Sequence, residues 1–182
     1  MTSNEIRVDA QLLTGLQIES ITGFIWVKDA IKYIARTHPL SAPIKTIEYT
    51  SNGTEDAGDT CTISEEVIQF NKIARHGKRR PIATPYYEYG QNDVTFYHSG
   101  DFDITYRYMP DAPQTVDSEV PLPDRYAEPI KYYLAARMRS RIYGQGDPDA
   151  QTYDQLFWNQ LEEMDATMDL VSRRYRRMPA RY

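Results

Sequence analysis

Residues 120–126, Val120-Pro121-Leu122-Pro123-Asp124-Arg125-Tyr126, divide this chain into two kinds of sequence. Before them lies a long stretch with the period of strands and turns; after them the period is almost wholly helical. Pro129 follows closely, and proline is tolerated in the first turn of a helix because the N–H it lacks would have no intrahelical partner there. Ile130, Leu134 and Met138 then recur at helical spacing and predict an inner stripe. Gly144-Gln145-Gly146-Asp147-Pro148 reads as a compact connection between two helices: glycine closes the first, Asp147 caps the second, and Pro148 suits its opening position. Tyr153, Phe157, Leu161, Met164, Met168, Val171 and Tyr175 follow at steps of four and three. They predict a last helix of roughly 25 residues or more, long beside a globular average of about 10–14.

The N-terminal end is also helical. Thr2-x-x-Glu5 has the form of a capping box, in which each side chain satisfies a backbone donor of the first turn. Ile6, Ala10, Leu13 and Leu16 continue it at helical steps. A second helix is expected over 22–36, with Phe24, Val27, Ile31 and Ile34 on one face and Lys28, Asp29, Lys32 and Arg36 on the other. His38-Pro39 ends it, because the residue before a proline is steered out of helical geometry.

From about residue 43 the period changes. Ile44-Lys45-Thr46-Ile47-Glu48-Tyr49 and Val67-Ile68-Gln69-Phe70-Asn71-Lys72-Ile73 read as strands. Residues 51–59, with Glu55, Asp56 and Asp59, read as an acidic loop; they lack the ligand pattern of a calcium loop, which ends in a glutamate. Asp93-Val94-Thr95-Phe96-Tyr97-His98 and Phe102-Asp103-Ile104-Thr105-Tyr106-Arg107-Tyr108 predict a hairpin joined by Ser99-Gly100-Asp101. In its second strand Phe102, Ile104, Tyr106 and Tyr108 alternate with polar residues, so one face is buried and the other wet. The fold class expected is α+β: a bundle of about four helices, two within 1–42 and two within 120–182, with an antiparallel β insert, a sheet or a sandwich, over 43–119.

With 182 residues, 41% hydrophobic and 26% charged, the chain has the composition of a globular domain long enough to bury a core. A net charge of −5 argues against a dedicated nucleic-acid binder. Tyrosine is in excess, 15 against 5 Phe and 2 Trp. That suits half-buried subunit interfaces, and equally a tyrosine-rich strand core. The single Cys61 cannot form an internal disulfide and reads as a small structural residue. Met1-Thr2-Ser3-Asn4-Glu5 lacks the basic start and apolar run of a signal peptide, and no apolar run is long enough to cross a bilayer. A protein made in a cytoplasm and independent of membranes is expected.

Catalytic patterns are missing from the sequence. His38, His76 and His98 have no partner at zinc-ligand spacing. Neither a Gly-x-Ser-x-Gly elbow nor a phosphate loop occurs. Glu162, Glu163, Asp165 and Asp169 read as a solvated helix face. No enzyme activity, cofactor or metal is expected. Two basic clusters stand out instead. One is His76-Gly77-Lys78-Arg79-Arg80, a loop tip. The other is Arg173-Arg174-Tyr175-Arg176-Arg177, followed by Arg181 and Tyr182. Cations suit the C-terminal dipole of a long helix; they suit phosphate or an acidic partner surface as well.

Three of these patterns together resemble the head-to-tail adaptor proteins of tailed bacteriophages, the ring-forming connector proteins of the neck. The first is the amphipathic Phe24-Ile25-Trp26-Val27-Lys28-Asp29-Ala30-Ile31 helix. The second is the strand pair closing on Tyr106-Arg107-Tyr108-Met109-Pro110. The third is Leu122-Pro123-Asp124-Arg125-Tyr126 leading through Ile130-Lys131-Tyr132-Tyr133-Leu134-Ala135-Ala136 and a Gly/Asp loop to the helix of Tyr153 and Phe157. The resemblance implies a structural virion protein, a homo-oligomeric ring, dodecameric, beneath the portal. It implies the portal protein and a downstream neck or tail protein as partners, with genomic DNA passing through the channel without sequence-specific binding. On that reading Arg173, Arg174, Arg176, Arg177, Arg181 and Tyr182 dock on the portal or another partner. Lys78, Arg79 and Arg80, or the C-terminal arginines, face the DNA channel or a neighbouring subunit. Two other classes stay open: a tail-completion or tail-terminator subunit, and a nucleic-acid-binding module using the arginine tail.

Overall fold

The computed structural model describes residues 1–78, 80–82 and 87–177; in the last helix, side chains are described to Met164 and at Ala166. The fold is mixed α+β, with four α-helices and two three-stranded antiparallel sheets among the described residues. It divides into two compact units, one formed by Met1–Ser41 with Pro110–Tyr182 and the other by Ala42–Met109.

The first unit holds α1 (Ser3–Thr14), α2 (Ser20–Thr37), α3 (Ala127–Tyr143) and α4 (Pro148–Arg177), with 3-10 turns at Pro39–Ser41 and Asp124–Tyr126. The capping box at α1 forms in both directions: Glu5 N–H donates to Thr2 Oγ1 at 3.2 Å, and Thr2 N–H to Glu5 Oε2 at 2.7 Å. Gly15 ends that helix at φ +68°, a left-handed geometry glycine takes at little cost. The expected stripe therefore stops early. Ile6 and Ala10 are buried, Leu13 is exposed, and Leu16 falls beyond the helix, half-buried. On α2, Val27, Ile31 and Ile34 are buried, whereas Phe24 is half-buried with the Lys28 ammonium 4.5 Å above its ring.

Residues 110–119 cluster with this unit because the N-terminus ties to them. Ser3 N–H donates to Ser118 O at 3.2 Å, Asn4 N–H to Val116 O at 2.9 Å, and Val120 N–H returns to Met1 O at 3.0 Å. Val120, Leu122 and Tyr126 then enter the core beside Ile130, Leu134 and Met138. The turn into α4 follows its residue types. Gly144 leaves α3 at φ +93°, and Asp147 Oδ2 accepts from Ala150 N–H at 2.9 Å. The same carboxylate takes both arms of Arg139, at 2.9 and 3.0 Å. The guanidinium holds the Asp147 carboxyl below its ordinary range. α4 runs back along α3: Tyr153 stacks on Tyr132, and Phe157 tilts against Tyr133.

The second unit is a small sandwich. β1 (Ile44–Asn52), β6 (Ser99–Tyr108) and β3 (Val67–Arg75) form one sheet in that order; β2 (Asp59–Thr62), β5 (Asp93–Phe96) and β4 (Tyr87–Tyr89) form the other. The expected hairpin between 93–98 and 102–108 does not form. Its two strands lie in different sheets, and Phe96 of β5 stacks on Phe102 of β6 with ring centroids 4.4 Å apart. Ser99 and Gly100 are strand residues opposite Asn52 and Ser51, and the chain changes sheets at Tyr97-His98. The reason is burial. Each segment has one apolar face, and placing them in facing sheets buries both against each other. The hairpin that does form joins β4 to β5, where Gly90 N–H donates to Asp93 O at 3.0 Å. β6 keeps its expected alternation, with Phe102, Ile104 and Tyr106 buried. Nor is all of 51–59 loop: Asp59 opens β2, and its carboxylate accepts from Tyr49 Oη at 2.9 Å and Asn52 N–H at 2.7 Å. Cys61 is buried in β2, which pushes its thiol up.

Candidate functional site

The described part of the basic tip is built by the end of β3. Lys78 N–H donates to Arg75 O at 2.9 Å, closing a turn in which Gly77 sits at φ +69°. The chain then doubles back. Pro81 bridges to Ala74, and Ile82 N–H donates to Ile73 O at 2.9 Å. This return brings Arg75, Lys78 and Arg80 around a shallow pocket of about 330 Å³ whose remaining lining is Pro81 and Ile82. Three cations and no carboxylate line it among the described residues. Such a set accepts oxyanions, and guanidinium in particular offers paired donors to phosphate or carboxylate. Of the residues singled out in the sequence, Lys78 and Arg80 meet here and Arg79 lies outside the described residues. Arg75 joins them without any signal in the sequence. As the last residue of β3 it reads as a strand residue, and only the turn brings it alongside Lys78.

His76, at the centre of the same turn, points elsewhere. Its Nδ1 lies 2.8 Å from Asp103 Oδ1 and 3.7 Å from Glu48 Oε1. The hydrogen bond to Asp103, then the charge of Glu48, hold the imidazole above its ordinary pKa; the same bond holds Asp103 below its own. Sequence spacing found no ligand partner for His76, because these carboxylates come from distant strands. His38 caps the end of α2 and is buried, and His98 is half-buried where the chain changes sheets.

The C-terminal cluster is in part beyond description. Arg173, Arg174, Arg176 and Arg177 belong to the helical run of α4, whose side chains there lie outside the described ones, as do Arg181 and Tyr182 altogether. Glu162 and Glu163 are exposed on the same helix. The helical unit also carries large exposed apolar side chains. Ile21 and Ile25, one turn apart on α2, are 66% and 50% exposed, and Leu12 on α1 is 77% exposed. At 100° per residue, Ile21 and Ile25 stand on the face of α2 away from Val27, Ala30 and Ile34. Among the described residues, no helix is long and apolar enough to cross a membrane.

No protein-family model matches this chain, and no curated protein matches it.

Proposed function

We propose that this chain is a structural virion protein rather than an enzyme: a head-to-tail adaptor whose copies form a ring, dodecameric, beneath the portal in a bacteriophage neck. The ring joins the portal to the next neck or tail component while genomic DNA passes through its channel. In this reading the four helices form the bundle that frames the ring, and the strand unit is its insert.

The observation that carries the reading is α4. It has 30 residues against 17 in α3, about 45 Å against about 26 Å. Its described packing partners accompany it to Leu161 and Met164, and the helix continues to Arg177. A helix of this length that ends in a run of arginines suits a groove on a partner. Exposed Leu12, Ile21 and Ile25 suit lateral contact between copies, and the tyrosines agree: of those described, only Tyr106 and Tyr126 are buried.

Negative-stain imaging of the purified protein, alone and mixed with portal, tests the reading. Rings are expected in one or both samples, and deletion of residues 173–182 is expected to weaken co-sedimentation with portal while leaving the fold intact. A protein that stays monomeric and ignores portal at high concentration would sink the proposal. The pocket of Arg75, Lys78 and Arg80 favours a second reading, a nucleic-acid-binding module. Tight, salt-sensitive binding of the isolated chain to duplex DNA would select it.

A further inference from the structure

The β1–β6–β3 sheet gathers donor atoms that are far apart in sequence. Glu48 on β1 and Asp103 on β6 are direct cross-strand partners, so both carboxylates leave the same face of the sheet. Phe102 and Ile104, their alternate neighbours, are buried on the other face. Like charges directly opposite one another weaken a strand pair. Asp101 adds a third carboxylate two residues along the same strand, where its Oδ1 accepts from Thr50 Oγ1 at 2.7 Å. Lys72 on β3 is the cation whose charge acts on Asp103 from the sheet itself. His76, the first residue past β3, comes over this acidic patch and is held there by the backbone. Its N–H donates to Asp101 O at 2.8 Å, and Gly77 N–H donates to Asp103 Oδ2 at 3.3 Å. One donor atom each from Glu48, His76 and Asp103 lies within 4.8 Å of the other two.

We propose that Glu48, His76 and Asp103 bind one divalent transition-metal ion of the zinc and cobalt class. An imidazole nitrogen with two carboxylate oxygens matches the borderline ions of the first row. It does not match calcium, which takes about 6–8 oxygens. Ligands at about 2.0–2.2 Å from a tetrahedral ion stand about 3.3–3.6 Å from each other. The separations of 2.8 and 3.7 Å from Nδ1 bracket that range. Glu48, the most exposed of the three, is free to close the remaining distance by rotation about its own side-chain bonds. Coordination through Nδ1 requires that nitrogen to carry no proton. The ion neutralises the facing carboxylates and ties the turn after β3 to β1 and β6; its remaining positions open to water. Since Arg75 and Lys78 flank His76, the same ion fixes the turn on which the basic pocket is built.

The test is a CoCl2 titration of the untagged full-length chain, stripped with chelator, near neutral pH. A saturable visible absorption band at one equivalent, displaced by ZnCl2, is expected. His76→Gln and Asp103→Asn are each expected to weaken binding by more than the about 10–100-fold typical of second-shell losses, with metal-free circular dichroism and melting like those of the parent. Glu48→Gln makes the same comparison if either variant fails to fold. No saturable band in the parent, or unchanged affinity across the folded variants, overturns the proposal and leaves His76 as an ion-pair partner alone.

Discussion

Gly53 shows how little room one position leaves. A Cβ added there would stand 2.0 Å from the carbonyl oxygen of Phe96, a backbone atom that no rotamer change can move. Gly53→Ala should therefore destabilise the strand unit by about 1–3 kcal/mol, the range for forced overpacking, as read by urea unfolding. Glu65 makes a second residue-scale case. The Lys45 ammonium, bonded to Glu65 Oε1, brings its carboxyl down to about 2, helped by Tyr106 Oη at 3.2 Å. Because the folded value lies below the unfolded one, this pairing stabilises the fold fully above the ordinary carboxylate range. Its contribution fades as pH falls toward about 2. Lys45→Met should move the Glu65 titration, followed by carboxyl carbon NMR, back up toward the ordinary range; an unmoved titration would show that Lys45 is not the cause. Neither feature is visible in sequence. Gly53 reads as one more loop glycine, and nothing marks Lys45 and Glu65 as neighbours.

Among elements, helices were the legible part, because each announces itself twice, by its apolar period and by its ends. Thr2 and Glu5 at one helix, and Gly144, Asp147 and Pro148 between two others, are read from residue type alone. Thr2→Ala should cost about 1 kcal/mol through the lost cap, measured by thermal unfolding. Phe157, 1% exposed between α3 and its neighbours, should cost about 3–5 kcal/mol as Phe157→Ala. Strands were legible in part. Alternation told which side of 102–108 is buried, but it names a face and not a partner. So the sequence suggests pairing β5 with β6, whereas the hydrogen bonds of β5 go to β2 and β4. Tyr87–Tyr89 gives no strand signal, being three residues long with two of them exposed. The same limit applies to the sites. Arg75 joins Lys78 and Arg80 through a turn, and Glu48, His76 and Asp103 meet only because β1 and β3 both pair with β6.

For the molecule as a whole, the test lies at the exposed apolar face of α2. Ile21 and Ile25 contribute little to the core, so the double change Ile21→Lys and Ile25→Lys should leave the melting temperature nearly unchanged. If copies meet laterally there, the same change should abolish rings in negative stain and leave a monomer by light scattering. Rings that persist unaltered would move the lateral contact to another surface.

The division of the first unit between the two ends of the chain also sets a timetable for synthesis. Ala42–Met109 is one continuous stretch and holds both of its sheets, so it can close its core as soon as it clears the ribosome. α1 and α2 emerge earlier, but Val27, Ile31 and Ile34 share a core with Ile130, Leu134, Phe157 and Leu161. At about 5–20 residues per second, those side chains wait several seconds for their cover while a finished strand unit already stands behind them. The N-terminal helices are then the part of a nascent chain open to chaperone capture or premature pairing with a neighbouring nascent copy, and the arginines of 173–177 emerge only after every one of these core residues.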